Sequence, residues 1–147
     1  MKVIMNLKVK PEDFYDIIIN SLIYDIEKNG KIISKDKLKS GFQYQKTLTN
    51  KIGKQGQSKV MITCFEYPYH YQASFYTTRG ENIISYTIYN QKDGCQVEYT
   101  ETYLASQKLK KINHQFMNLF YTRHNHMKAK QMLKNMEQYI LENKSIR

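Results

Sequence analysis

Apolar and polar positions alternate over residues 2–9. Val3, Met5, Leu7 and Val9 fall on one side and Lys2, Asn6 and Lys8 on the other, the period-two pattern of a half-buried strand. The period then changes. Phe14, Ile18, Leu22 and Ile26 recur at helical spacing, with Ile19 and Ile23 widening the stripe. Pro11 suits the first helical position, and Glu12 and Asp13 suit the positive end of the helix dipole. Asn29-Gly30 ends this helix, because both residues tolerate the left-handed backbone of a helix C-terminus. Ser34 is placed to cap a second, short helix over residues 35–39.

From Phe42 to Leu104 strand-like runs follow one another at 42–49, 58–67, 69–77, 83–90 and 95–104. Turn residues separate them at Asn50–Gly56, Pro68, Thr78–Asn82 and Gln91–Gly94, the last containing the hairpin dipeptide Asp93-Gly94. Breaks this short predict an antiparallel meander. Residues 83–90 are apolar on both sides, with Ile84, Tyr86 and Ile88 against Ile83 and Tyr89, so one sheet face is covered and the other only partly wet. No Gly or Pro occurs between Ser106 and Asn143, and Leu109, Ile112, Phe116, Leu119, Phe120, Met127, Leu133, Met136 and Ile140 recur at helical spacing. This predicts one long amphipathic helix over 107–142, capped by Ser106, its stripe weakened at 121–126.

The order is strand, helix, short helix, five-strand meander, long helix. A curved antiparallel sheet must cover its apolar face, and one long terminal helix can do so. The expectation is an α+β single domain over residues 1–147, its sheet of about six strands wrapped on the C-terminal helix. The order resembles the helix-grip fold of the START and Bet v 1 proteins, whose usual form has seven strands and often a cavity between sheet and helix. A closer resemblance is to an uncharacterised family of low-GC Gram-positive bacteria, labelled a domain of unknown function. Its motifs are Pro11–Asp16 (Pro-x-Asp-Phe-Tyr-Asp), Leu22–Ile26, Lys39–Thr47 and Tyr99–Glu101, and the match runs over nearly the whole chain. That resemblance implies the helix-grip fold and supplies no activity or catalytic residues.

Length and composition narrow the function. With 147 residues and 41% hydrophobic residues, the chain can bury one substantial core without a metal or disulfide staple. No wholly apolar run exceeds three residues, as in Ile17–Ile19, so neither a membrane-spanning segment nor a signal peptide is expected. A cytoplasmic location is expected.

The net charge is +10, of which residues 107–147 carry +7. A basic helix attracts polyanions. Only Arg79, Arg123 and Arg147 stand beside 20 lysines, however, whereas phosphate and bases are gripped bidentately by Arg. Specific nucleic-acid binding is therefore not expected. Cys64 and Cys95 lack CxxC spacing and have no His beside them in sequence, so both are expected to be reduced and structural.

The 13 Tyr and 6 Phe are the most distinctive feature, because Tyr gives a pocket an apolar wall with a polar tip. Glu101 shares a strand side with Val97, Tyr99 and Tyr103. A carboxylate facing inward there is partly desolvated, and its pKa rises unless a cation or a donor meets it. The candidate ligand-binding set is Tyr44, Tyr71, Phe75, Tyr86, Tyr99 and Glu101 on the sheet, with Phe116 and Phe120 on the helix; Ile62 and Met127 also face the gap. His124 and His126 are two apart and diverge on a helix, His114 is ten residues from His124, and His70 is on another element, so no metal set emerges. Cofactor and catalytic fingerprints are absent, and Gly53–Gly56 lacks the strand–loop–helix context of a phosphate loop. The preferred reading is a non-enzymatic small-molecule-binding protein taking a partly apolar ligand between sheet and C-terminal helix. The alternatives are a protein-interaction or regulatory module with a filled core, an enzyme acting through Glu101 and a Tyr, and a polyanion binder.

Overall fold

The computed structural model describes residues 1–49, 53, 55–106 and 114–145, with the side chains of 49, 55, 114–124 and 145 outside the description. In chain order the elements are β1 (Lys2–Leu7), α1 (Pro11–Lys28), a 3-10 turn (Lys35–Lys37), β2 (Gln43–Thr49), β3 (Gln55–Glu66), β4 (His70–Thr77), β5 (Gly80–Gln91), β6 (Gly94–Ala105) and α2 (His114–Ser145). The expected start of the long helix, 107–113, lies outside the described residues.

The six strands form one antiparallel sheet in the order β1-β6-β5-β4-β3-β2. Four hairpins build β2 to β6 by local pairing. β1 then closes onto β6 with Val3 opposite Tyr99 and Leu7 opposite Cys95, so β1 and β2 are the two edges. This is the helix-grip arrangement: a curved sheet with α1 and the long α2 on its concave face.

α1 forms where Pro11 opens the chain into a helix and Glu12 and Asp13 occupy its first turn. Phe14, Ile18, Ile19, Leu22 and Ile26 are buried as the periodicity requires. Tyr15 is also fully buried, whereas Ile23 is only half-buried. The helix ends at Asn29, whose side chain donates to the Asp25 carbonyl at 2.7 Å. The expected second helix is shorter than 35–39. Ser34 makes no backbone cap there; its hydroxyl donates to the Asp36 carboxylate instead.

The Asp93-Gly94 signal marks the β5–β6 hairpin, but the glycine acts by a different route than a turn position. Lys92 and Asp93 make the turn, and Gly94 is the first residue of β6, paired with Gln91. Its φ is 153°, and a Cβ there would overlap the Leu7 carbonyl oxygen. Gly94 thus lets the end of β1 lie flat on the hairpin.

Along the described part of α2, Ala129, Leu133 and Ile140 are buried and Met132 and Met136 pack partly against the core. Met127, expected on this stripe, is 67% exposed. It precedes Ala129 by two positions, about 200° around the helix, and so points outward. The Glu137 carboxylate accepts from the Lys8 backbone N–H at 2.7 Å, and Lys144 pairs with Asp13 at 2.5 Å, fastening α2 to the β1–α1 corner. No helix among the described residues is long and apolar enough to cross a membrane.

Candidate functional site

The concave face is organised by register. Phe65, Tyr71, Tyr86, Tyr99 and Val3 are direct cross-strand partners on five successive strands, so their side chains form one row across the sheet. Neighbouring rings in that row touch: Phe65–Tyr71 and Tyr71–Tyr86 have centroids 6.3 Å apart, and Tyr86–Tyr99 are 5.0 Å apart. α1 covers the row with Tyr15, edge-on to Phe65 and Tyr71, and with Phe14, tilted on Tyr86. Such tilted and edge-to-face contacts suit the ring quadrupoles.

Beside this row lies a cavity of about 400 Å³ between α1, the sheet and α2. Tyr44, Tyr71, Phe75 and Tyr86 line it, joined by Ile18 and Leu22 from α1 and by Met132 and Met136 from α2. Met132 sits over Tyr86, whose hydroxyl lies 3.8 Å from the thioether sulfur. Burial pushes the Tyr71 and Tyr86 phenols well above the ordinary tyrosine value, so both remain neutral donors.

A polar group closes one end. Asp25 accepts from the Tyr44 hydroxyl at 2.5 Å and pairs with the Lys46 ammonium at 3.0 Å. Burial, then the hydrogen bond to Asp25 and its negative charge, hold the Tyr44 phenol protonated. Asp25 and Lys46 were not read from the sequence as site residues, although each carries a signal. Asp25 is three residues after Leu22 and seven after Ile18, a carboxylate on the apolar stripe. Lys46 follows Tyr44 by two and shares its strand side.

Glu101 faces the concave side as its alternation requires, and donors do meet it: the Asn82 amide at 3.1 Å and the Tyr99 hydroxyl at 3.3 Å. Neither Tyr99 nor Glu101 is in the cavity lining; the Tyr99 ring stands next to it, against the lining residue Tyr86. Ile62 is fully buried in the core and not in the lining. Met127 faces away. Phe116 and Phe120 belong to α2, and their side chains lie outside the described residues. Both cysteines are free thiols; Cys95 is fully buried and pushed up to about 11, by burial first and then by the carboxylates of Glu137 and Glu12. Cys64 is not isolated as the spacing suggested. Its sulfur lies 3.4 Å from His70 Nδ1 across the β3–β4 hairpin.

Residues 1–122 match the family described as Domain of unknown function (DUF3284). No curated protein matches the chain. Among solved structures, a Staphylococcus aureus protein of unknown function, SA2116, superposes with a TM-score of 0.66 at 13% identity, over 100% of this chain and 95% of that one. The di-domain ARO/CYC StfQ of the steffimycin biosynthetic pathway gives 0.70 at 7% identity, over 99% of this chain and 51% of its own, so this chain spans about half of it. Ara h 8.0201 gives 0.63 at 10% identity over 97% of both chains. At these identities the likeness is one of fold, and the fold is the Bet v 1-like helix-grip.

Proposed function

We propose that this chain, which belongs to the DUF3284 family, is a binding protein for a small, partly apolar molecule held between α1, α2 and the concave face of the sheet. One observation carries this reading: the aromatic wall of Tyr71, Phe75 and Tyr86 ends at the Tyr44–Asp25–Lys46 group in one cavity. A volume of about 400 Å³ lies in the range of small-molecule sites, which are mostly apolar with a few placed polar groups. The Lys46–Asp25 pair is partly buried, so desolvating the charges offsets much of their attraction and the pair itself adds little to stability. In this reading the rings give contact area, Lys46 and Asp25 orient a hydroxyl, carboxyl or amine of the ligand, and Tyr99, hydrogen-bonded to Glu101, supports Tyr86 from behind the lining. Phe116 and Phe120 remain part of the proposed set. That structures of the same fold include an ARO/CYC protein from a biosynthetic pathway supports a ligand-holding use of the scaffold.

The test is a thermal-shift screen of the full chain against fatty acids, aromatic metabolites and β-glucosides. A ligand at a hundred times its Kd adds about 2.7 kcal/mol, a shift of several degrees for a domain this size. Lys46→Met and Tyr71→Leu should remain folded and lose the shift. If no class moves the melt, and cross-linking instead captures a protein on the α1–α2 face, the interaction-module reading replaces this one.

A further inference from the structure

The β3–β4 hairpin brings a second group of reactive side chains together on the opposite, convex face. β3 has an irregularity: Ile62 pairs with Ala73, but Cys64 pairs with Gln72, leaving Thr63 as an extra residue. The bulge reverses the alternation. Ile62 and Phe65 both face the core, and Cys64 and Glu66 turn to the convex side, where Glu66 lies opposite His70. The thiol sulfur, the Glu66 carboxylate and a His70 ring nitrogen all lie within 4.8 Å of one another.

We propose that Cys64, Glu66 and His70 bind a divalent transition metal of the zinc type. The donor set fits that class: a thiol and an imidazole select zinc-like ions, whereas magnesium and calcium want oxygen ligands alone. Distances fit as well. Zinc bonds of about 2.3 Å to sulfur and 2.0–2.1 Å to nitrogen, at a tetrahedral angle, place those atoms about 3.5 Å apart; Cys64 Sγ and His70 Nδ1 are 3.4 Å apart. A second contact orients the imidazole. His70 Nε2 lies 3.2 Å from Ser85 Oγ, and a hydrogen bond donated there leaves the lone pair on Nδ1, the tautomer that a metal at Nδ1 requires. The hairpin is anchored from behind, because the buried Tyr15 hydroxyl donates to the His70 carbonyl at 2.9 Å. Glu66 is exposed and Cys64 and His70 are half-buried, which leaves an approach for the ion and a fourth position for water.

On binding, the sulfur–hydrogen bond breaks, the sulfur–metal bond forms from the same electron pair, and the proton leaves to solvent. A dication replaces the proton and reverses the local electrostatics.

The experiment is a cobalt(II) titration of the full chain, followed by absorption. The expected result is a thiolate-to-cobalt charge-transfer band in the near ultraviolet that saturates at one equivalent and is bleached by zinc. Cys64→Ser should abolish the band with the thermal melt otherwise retained, His70→Gln should weaken binding at least tenfold, and Ser85→Ala should weaken it about tenfold or more. Cys95→Ser should leave the band intact. No band at one equivalent, a band surviving Cys64→Ser, or cobalt binding without a charge-transfer band would each overturn the proposal, the last pointing to the histidines of α2.

Discussion

The hydroxyl of Tyr44 on β2 donates to Asp25 Oδ2 on α1 at 2.5 Å, and the other oxygen of the same carboxylate holds Lys46 at 3.0 Å. One helical carboxylate thus joins α1 to the β2 edge of the sheet and forms the polar end of the cavity. Hydrogen bonds to charged groups are the stronger kind, and a partly buried carboxylate stripped of its donor keeps its desolvation cost.

Tyr44→Phe should therefore destabilise the protein by about 1–2 kcal/mol. In a double-mutant cycle with Asp25→Asn, followed by urea denaturation, the two changes should couple by about 1 kcal/mol. Additive effects would mean that the contact contributes nothing to folding.

Alkaline pH should destabilise the fold progressively. The phenols of Tyr15, Tyr71 and Tyr86 are raised above 10.0 chiefly by burial, and Tyr44 by burial and Asp25. Their neutral forms are favoured in the folded state. Above about pH 10 the unfolded chain holds fewer protons than the native one, so this stability is fully present below that pH and is lost above it. Cys95 acts in the same sense between 9.0 and about 11. That one thiol should lower stability by about 1.4 kcal/mol per pH unit there. Denaturation midpoints should fall over this window, less steeply in Cys95→Ala, and the buried phenols should ionise only with unfolding. A flat stability profile from about pH 8 to 11 would contradict this.

Gly94→Ala should cost at least about 2 kcal/mol, through its backbone conformation and the clash with Leu7. Gly56, on β3, has open space where an alanine methyl would stand and is the control: Gly56→Ala should stay within about 0.5 kcal/mol. Equal thermal melts for the two variants would remove the close approach of β1 as the reason for Gly94.

Leu133→Ala should destabilise by about 2–5 kcal/mol, the range for a fully buried leucine. Met127→Ala, on the outward side of the same helix, should change stability by less than about 0.5 kcal/mol. The opposite ranking would place the other face of α2 against the sheet.

Alternation, helical periodicity and turn chemistry are local, and local interactions were enough to place β1 to β6, α1, the hairpin at Asp93-Gly94 and the inward side of Tyr71, Tyr86, Tyr99 and Glu101. Each of those residues obeys the period of its own strand. Strand ends were less legible, as in β3, which begins at Gln55 where turn-rich composition suggested 58. The two functional groupings depended on more than period. Asp25 meets Tyr44 and Lys46 because α1 crosses above the edge strand β2, an angle set by packing of the whole stripe and not by any residue near Asp25. Cys64 meets His70 because an extra residue at Thr63 turns Cys64 and Glu66 to the convex face, and strict alternation cannot register a bulge. Met127 shows the same limit in a helix: a long apolar pattern is wider than the strip that a curved sheet can cover, and the packing of α2 against β1 and α1 selects which part is buried.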